Sequence, residues 1–255
     1  MNIDRKKIAA IILAAGLGKR MKSKKAKVLH EILGKPMVMY VVEAAKQVVG
    51  ENIVVVVGNQ AEEVRNTILK YTFAVFAVQE AQLGTGHAVL SAMPYLPQET
   101  EHVIIMCGDV PLLRAETMEA LLEDHIRENR DLSLLGAQLE TPAGYGRILF
   151  DGEGSLSRII EEADATEKQR KINVVNAGTY CARRSFLSET LGKIRTDNVQ
   201  GEFYFTDIIQ IAYCDRKRIG AVIGCDPIEV IGINTYRELE VVEGVMKKKL
   251  IKNLT

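Results

Sequence analysis

Four short runs of almost unbroken apolar residues occupy the first half of the chain, and they restrict the fold more than any other feature. They are IAAIILAA (8–15), NIVVVVG (52–58), FAVFAVQ (73–79) and HVIIMCGD (102–109). A segment apolar at every position, and not only at every second one, suits a strand covered on both faces, as in a parallel sheet lying between helices. The intervening segments repeat at helical spacing: 36–49, where Met37, Tyr40, Val41, Ala44, Ala45 and Val48 recur behind Pro36; 61–69; and 86–93. Another helix is expected over 116–129, with Met118, Leu121, Leu122 and His125 on one side. The pattern predicts an α/β fold with a Rossmann-like mixed, mainly parallel central sheet flanked by helices.

Past residue 140 the texture changes. GYGRILFDGEGSLSRIIEE alternates about a turn at Asp151-Gly152, which signals a hairpin and an antiparallel region. A strand over 174–182, a helix over 204–214 and a late strand over 218–225 follow. Leu239, Val242, Val245, Met246 and Leu250 then mark a long amphipathic C-terminal helix over 236–253. The expected division is a body of residues 1–235 and a helical arm of 236–255.

The 255 residues include 33 basic and 33 acidic side chains, so no overall charge draws the chain to nucleic acid or to an anionic membrane. Cys107, Cys181, Cys214 and Cys225 form no Cys-x-x-Cys pair and predict reduced structural thiols. The apolar run at 8–15 is too short for a membrane span or a signal-peptide core, so a cytoplasmic location is expected. Against this neutral background Lys19, Arg20, Lys22, Lys24, Lys25 and Lys27 crowd together just after Gly16-Leu17-Gly18. Small residues after a strand let backbone N–H groups approach a phosphate chain, and nearby cations offset its charge. The dinucleotide fingerprint fails because Met21 stands where a third glycine is required. The Gly-x-x-x-x-Gly-Lys-Ser/Thr loop fails because Arg20 follows Gly18-Lys19. A polyphosphate-binding loop of another kind remains, with a solvated basic turn as the plainer alternative.

The whole string LAAGLGKRMKSKKAKVLHEILGKPM resembles the leader of the sugar-phosphate nucleotidyltransferases. Within that family it is most similar to the uridylyltransferase domain of the bacterial bifunctional enzymes that make UDP-N-acetylglucosamine, a peptidoglycan precursor. QEAQLGTGHA, CGDVPLL, GYGRI, EEADAT, NAGTY, GEFYFTDII and GINT follow in the family's order and carry the likeness over nearly the whole chain. The resemblance implies attack of N-acetylglucosamine 1-phosphate on the α-phosphorus of UTP, with pyrophosphate leaving. The nucleophile is already anionic, so positioning and charge stabilisation are the catalytic task.

By the same resemblance Leu13, Ala14, Ala15 and Gly16 lie against the nucleotide, together with Cys107 and Gly108. Arg20 and Lys27 are implied as the catalytic cations, Arg20 through its forked guanidinium. Gln79, Gly84 and Thr85 are implied at the uracil, and Gly146, Glu161 and Asn176 at the sugar. Asp109 and Asn234 are implied as ligands of Mg²⁺, both offering hard oxygens. Lys19, Lys22, Lys24 and Lys25 match no required position and are expected to form a solvated flank. His30 and His87 are expected to be structural. Cys107 departs from the aromatic residue common before Gly-Asp in the larger family. The bifunctional enzymes continue into a β-helix of hexapeptide repeats that this sequence does not contain, so acetyl transfer is not expected of it. The expected partners are UTP and the sugar phosphate, with no nucleic acid and no membrane; a homo-oligomer is left open. Alternatives are a related transferase that accepts glucose 1-phosphate, or a catalytically silent nucleotide-sensing protein.

Overall fold

The computed structural model describes residues 3–252. Its strands are β1 (Ile8–Leu13), β2 (Glu31–Ile32), β3 (Lys35–Pro36), β4 (Ile53–Val57), β5 (Val75–Val78), β6 (His102–Cys107), β7 (Leu132–Gln138), β8 (Arg147–Phe150), β9 (Leu156–Ile160), β10 (Val174–Arg183) and β11 (Ile219–Ile223). Its helices are α1 (Met37–Val49), α2 (Ala61–Leu69), α3 (Thr85–Ala92), α4 (Ala115–Arg127), α5 (Glu167–Arg170), α6 (Arg184–Thr190), α7 (Asp207–Cys214) and α8 (Tyr236–Lys252). The last residue of the helix expected over 236–253, Asn253, lies outside the described residues.

The main sheet runs β11-β7-β10-β6-β1-β4-β5, with the β8–β9 hairpin attached to β10. β1 pairs in parallel with both β4 and β6, and β4 with β5; β10 is antiparallel to its neighbours β6 and β7. The sheet is therefore mixed and mainly parallel, as the apolar runs predict. β1, β4 and β6 are apolar throughout because each face has its own core; the run at 73–79 instead forms the edge strand β5, where Phe73 and Val78 are exposed. Ile8, Ala10 and Ile12 of β1 join Val55 and Met106 on the face covered by α1 and α4. Ala9 and Ile11 join Val54, Val56 and Ile105 on the face covered by α3, α6 and α7.

Two irregularities serve the site. In β10 the pairing with β7 shifts between Asn176 and Tyr180, so the stretch NAGTY, which reads as plain strand, carries a bulge. The first half of α8 is docked, with Val242 fully buried and Leu239, Val245 and Met246 packed beside it. The ring of Tyr236 meets His30 edge-on at 5.4 Å. β7 had no place in the sequence expectations, although Asn129 and Asp131 before LSLLGAQ and Pro142 and Gly144 after it frame the run.

A buried carboxylate ties the C-terminal segment to the body. Glu229 is fully buried and accepts from the backbone N–H of Arg114 at 3.1 Å, from Arg114 Nε at 2.7 Å and from the Thr117 hydroxyl at 2.6 Å. It braces the start of α4, whose cap residue Arg114 makes no side-chain cap bond of its own. Removing it strands an N–H, a hydroxyl and a guanidinium, of which the last is half exposed and recovers water. Glu229→Ala is expected to lower unfolding free energy by about 2–3 kcal/mol, readable as a shifted urea midpoint at unchanged slope.

Candidate functional site

A ligand crevice is expected where neighbouring strands of an open α/β sheet send their connections to opposite sides, beyond the carboxyl ends of those strands. That point lies between β1 and β6. Leu13 and Cys107 are register partners, and Gly108 N–H donates to Leu13 O at 2.9 Å, so the LAAG turn and the CGD turn leave the sheet together. A cleft of about 420 Å³ opens there. It is lined by Leu13, Ala14, Ala15, Gly16, Arg20, Lys27, Gln79, Gly84, Thr85, Cys107, Asp109 and Asn234, residues implied by the sequence resemblance. Gly108 lies beneath this wall as the link between the two turns.

The basic loop divides as its motif positions suggest. Gly18 takes φ +61°, and a Cβ there would come within 2.8 Å of Lys27 Cβ, so a bare glycine lets the turn close over the lysine stem. Met21 is buried, which leaves Arg20 of the same tight turn exposed over the cleft. Among the described residues Arg20 has neither a hydrogen bond nor an ion pair. Lys22 and Lys24 are exposed to solvent, Lys25 meets Glu31 at 3.5 Å on the surface, and Lys19 reaches the cleft rim. Gln60 donates to Lys24 O and accepts from Ala26 N–H, pinning the end of the loop.

Lys27 has a more central place than triphosphate neutralisation implies. Its ammonium contacts Asp109 Oδ2 and lies 3.0 Å from Asn234 Oδ1. With side chains of Lys27 and Asp109 only 14% and 16% exposed, this contact is shielded from water. One cation thus brings together the two oxygens implied as metal ligands, although they lie 125 positions apart in sequence (234 − 109). Ile233 N–H donates to Asp109 O at 2.9 Å and Glu238 accepts from Asn234 N–H at 2.7 Å, so the pairing is fixed by backbone as well. No group of three or more His, Cys, Asp or Glu side chains is placed to hold a metal ion among the described residues. Two convergent hard oxygens with a phosphate chain to complete the shell are the sort of donor set that suits a small divalent ion.

Gly146, Glu161 and Asn176 lie outside this cleft wall but are brought together with one another. Asn176 N–H donates to Gly146 O at 2.9 Å, and Gly146 lies so near Glu161 that an added Cβ would stand 3.5 Å from its carboxylate. The bulge in β10 turns Asn176 so that its amide nitrogen donates to the Tyr180 hydroxyl at 2.6 Å, while its oxygen accepts from Gly178 N–H. Glu161 accepts from Thr206 at 2.8 Å. Cys107 stands between the two groups: burial, with the charges of Asp109 and Glu161, pushes its thiol up to about 12, and its Sγ faces Gly178 O at 3.8 Å. It is a neutral wall residue.

Gln82, Gln200 and Glu202 also line the cleft and were missing from the sequence expectations. Glu202 lies within GEFYFTDII and could have been found there; Gln200 carries no sequence signal. Their segment is stapled to the QLGTGH turn: Phe203 O accepts from Gly86 N–H, Phe203 N–H donates to Leu83 O, and Phe205 N–H donates to the Thr85 hydroxyl.

Burial holds the Glu161 carboxyl above its ordinary 4.5, against the opposing Thr206 hydrogen bond. The native state therefore keeps this proton more tightly than the unfolded chain, and stability falls as pH rises from 4.5 through the raised value. Glu161→Gln is expected to abolish that contribution. In thermal melts the variant should gain on the parent protein as pH increases from 4 to about 8.

Comparison with known proteins agrees with this geometry. Residues 10–174 match the family model described as a MobA-like NTP transferase domain. The bifunctional protein GlmU of Geobacter metallireducens is 47% identical over 232 residues, covering 91% of this chain and 49% of that protein. GlmU of Desulfotalea psychrophila is 38% identical over 242 residues, covering 95% of this chain and 71% of that protein. The chain spans about half the length of the Geobacter metallireducens and Caldanaerobacter subterraneus relatives. A Bacillus anthracis structure assigned as a glucose-1-phosphate thymidylyltransferase, solved with sucrose, superposes with a TM-score of 0.71 at 18% identity, covering 93% of this chain and 94% of that one. At that identity the likeness speaks for the fold. No helix among the described residues is long and apolar enough to cross a membrane. The family match, with which the crevice between β1 and β6 and the basic loop over it are in keeping, establishes that the chain belongs to the MobA-like NTP transferases and is a relative of the GlmU proteins.

Proposed function

We propose that this chain transfers UMP from UTP to N-acetylglucosamine 1-phosphate, releasing pyrophosphate, with Mg²⁺ held by Asp109 and Asn234. The observation that carries the reading is the convergence of Asp109 and Asn234 on Lys27 beneath an unpaired Arg20. Such a site gathers positive charge where two polyanions must meet. The sugar phosphate oxygen attacks the α-phosphorus in line with the departing pyrophosphate, and the reaction needs no general base. Arg20 can hold two oxygens of the triphosphate at once, and Lys27 offsets the charge that builds on the transferring and leaving phosphates. The small residues Ala14, Ala15 and Gly16 allow the main chain to approach the nucleotide. A bound Mg²⁺ supplies a further positive charge and a template for the phosphate oxygens. Gly146, Glu161 and Asn176 offer acceptors and donors to sugar hydroxyls and the N-acetyl group. The identity of the GlmU relatives supports this acceptor.

The direct test is pyrophosphate release from a panel of nucleotides and sugar 1-phosphates in the presence of Mg²⁺. UTP with N-acetylglucosamine 1-phosphate should be the preferred pair, and a strong preference for glucose 1-phosphate would overturn the acceptor assignment. Arg20→Ala is expected to lower kcat by about 10²–10³-fold at unchanged melting temperature, since the side chain is exposed and contributes nothing to the core. A double replacement of Lys22 and Lys24 by Ser should act differently. It should reduce kcat/KM by a few fold at low ionic strength and hardly at all at about 0.5 M salt, as expected for steering through exposed charge, with kcat preserved.

A further inference from the structure

His87 belongs to a motif whose chemistry asks for no imidazole, yet its ring meets the cleft-lining amide of Gln79. Gln79 is only 3% exposed. Its Nε2 lies 3.0 Å from Gly84 O and 3.0 Å from His87 Nδ1. A carbonyl oxygen can only accept, so the contact with Gly84 decides which end of the amide is nitrogen. Both amide protons are then directed inward, one to Gly84 O and one to His87 Nδ1. The imidazole must accept at Nδ1, and its own proton sits on Nε2. The main chain of Gln79 is engaged as well: its N–H donates to Val57 O at 2.8 Å, and its carbonyl accepts from Gln82 Nε2 at 3.1 Å. Among the described residues Oε1 is the one polar atom of Gln79 without a protein partner.

Gly84 is itself held in place. It takes φ +113°, and a Cβ there would come within 2.6 Å of Phe203 O, the same carbonyl that receives Gly86 N–H. The acceptor that sets the amide is thus part of the braced wall of the cleft.

We propose that His87 is a positioning residue which, together with the Gly84 carbonyl, locks Gln79 as an obligate acceptor and makes the cleft select nucleobases that present a ring N–H. The inference rests on the reading of the cleft as a nucleotide site and deepens it. Uracil carries such an N–H at N3. Cytosine presents an unprotonated N3, and adenine an unprotonated N1, so each would set a lone pair against Oε1 in a confined place. A mismatch of that kind is worth about tenfold to a hundredfold in binding. Without an acceptor at position 87 one amide proton loses its partner, and the amide gains freedom to turn a donor toward the base.

The experiment compares UTP and CTP by equilibrium titration in Mg²⁺, and by pyrophosphate release, on the full chain and two variants. His87→Leu removes the acceptor; His87→Asn restores one, because its Oδ1 falls near the place of Nδ1. The parent protein should favour UTP over CTP at least tenfold. His87→Leu should reduce that preference about tenfold, chiefly through KM, with kcat within about twofold, and His87→Asn should recover it. A purely structural histidine would lower the melting temperature without moving the UTP-to-CTP ratio. Retention of the full ratio in His87→Leu, failure of a stably folded His87→Asn to recover it, or absence of base preference in the parent protein would each overturn the inference. If His87→Leu does not fold, the ratio in His87→Asn decides alone. Should the parent protein discriminate bases in titration but release no pyrophosphate with N-acetylglucosamine 1-phosphate, the assigned reaction falls and the role of His87 stands.

Discussion

The central position of β1 governs the rest of the molecule. It is flanked by two parallel strands and covered on both faces, and the chain leaves it toward β4 while β6 comes in from the other side. Parallel strands cannot be joined by tight turns, so helices must cross over, and because the chain leaves β1 for β4 on one side and β6 for β7 on the other, a gap opens beyond the carboxyl ends of β1 and β6. Two loops must therefore emerge side by side at that gap. One carries the glycines and cations of 16–27, and the other carries Cys107, Gly108 and Asp109. Apolar packing on both faces fixes where these loops start; the loops themselves supply the chemistry.

The resulting cleft holds its cations in two different settings. Lys27 is kept beside Asp109 and Asn234 in a place shielded from water, while Arg20 has no partner and projects over the cleft. The paired cation organises the floor, and the unpaired one stays open to solvent. Lys22 and Lys24 beyond them are exposed. Glu229 has an indirect share in this arrangement, since its buried contacts with Arg114 and Thr117 hold the segment that delivers Asn234.

Much of this was legible in the linear sequence, for identifiable reasons. Strands covered on both faces are uniformly apolar, which exposes β1, β4 and β6 directly; β5 is apolar too, although it forms the sheet edge. Short motifs keep their residues within a few positions, so the loop of 13–27, the turn of 84–85 and the pair Gly108-Asp109 could be read together. Other features could not. β7 is apolar and bounded by turn residues, but its place between β10 and β11 is set by long-range pairing. The bulge in β10 depends on pairing partners, and NAGTY looks regular in isolation. Gln200 and Glu202 reach the cleft only because Phe203 is bonded to the 83–86 turn.

The sequence alone determined the α/β class and the small-residue, basic character of the first loop, because hydrophobic period and local motifs are properties of neighbours along the chain. Tertiary structure alone decided that Lys27 lies between Asp109 and Asn234 and not free in solution. It likewise decided that His87 and Gly84 consume both amide protons of Gln79, and that Glu161 is buried deeply enough to resist ionisation. The contact of Lys27 depends on distance across the fold, that of Gln79 on the shape of a single turn, and the state of Glu161 on exclusion of water. Such distances are set by how the crossovers pack on the sheet, a quantity that no spacing along the chain records.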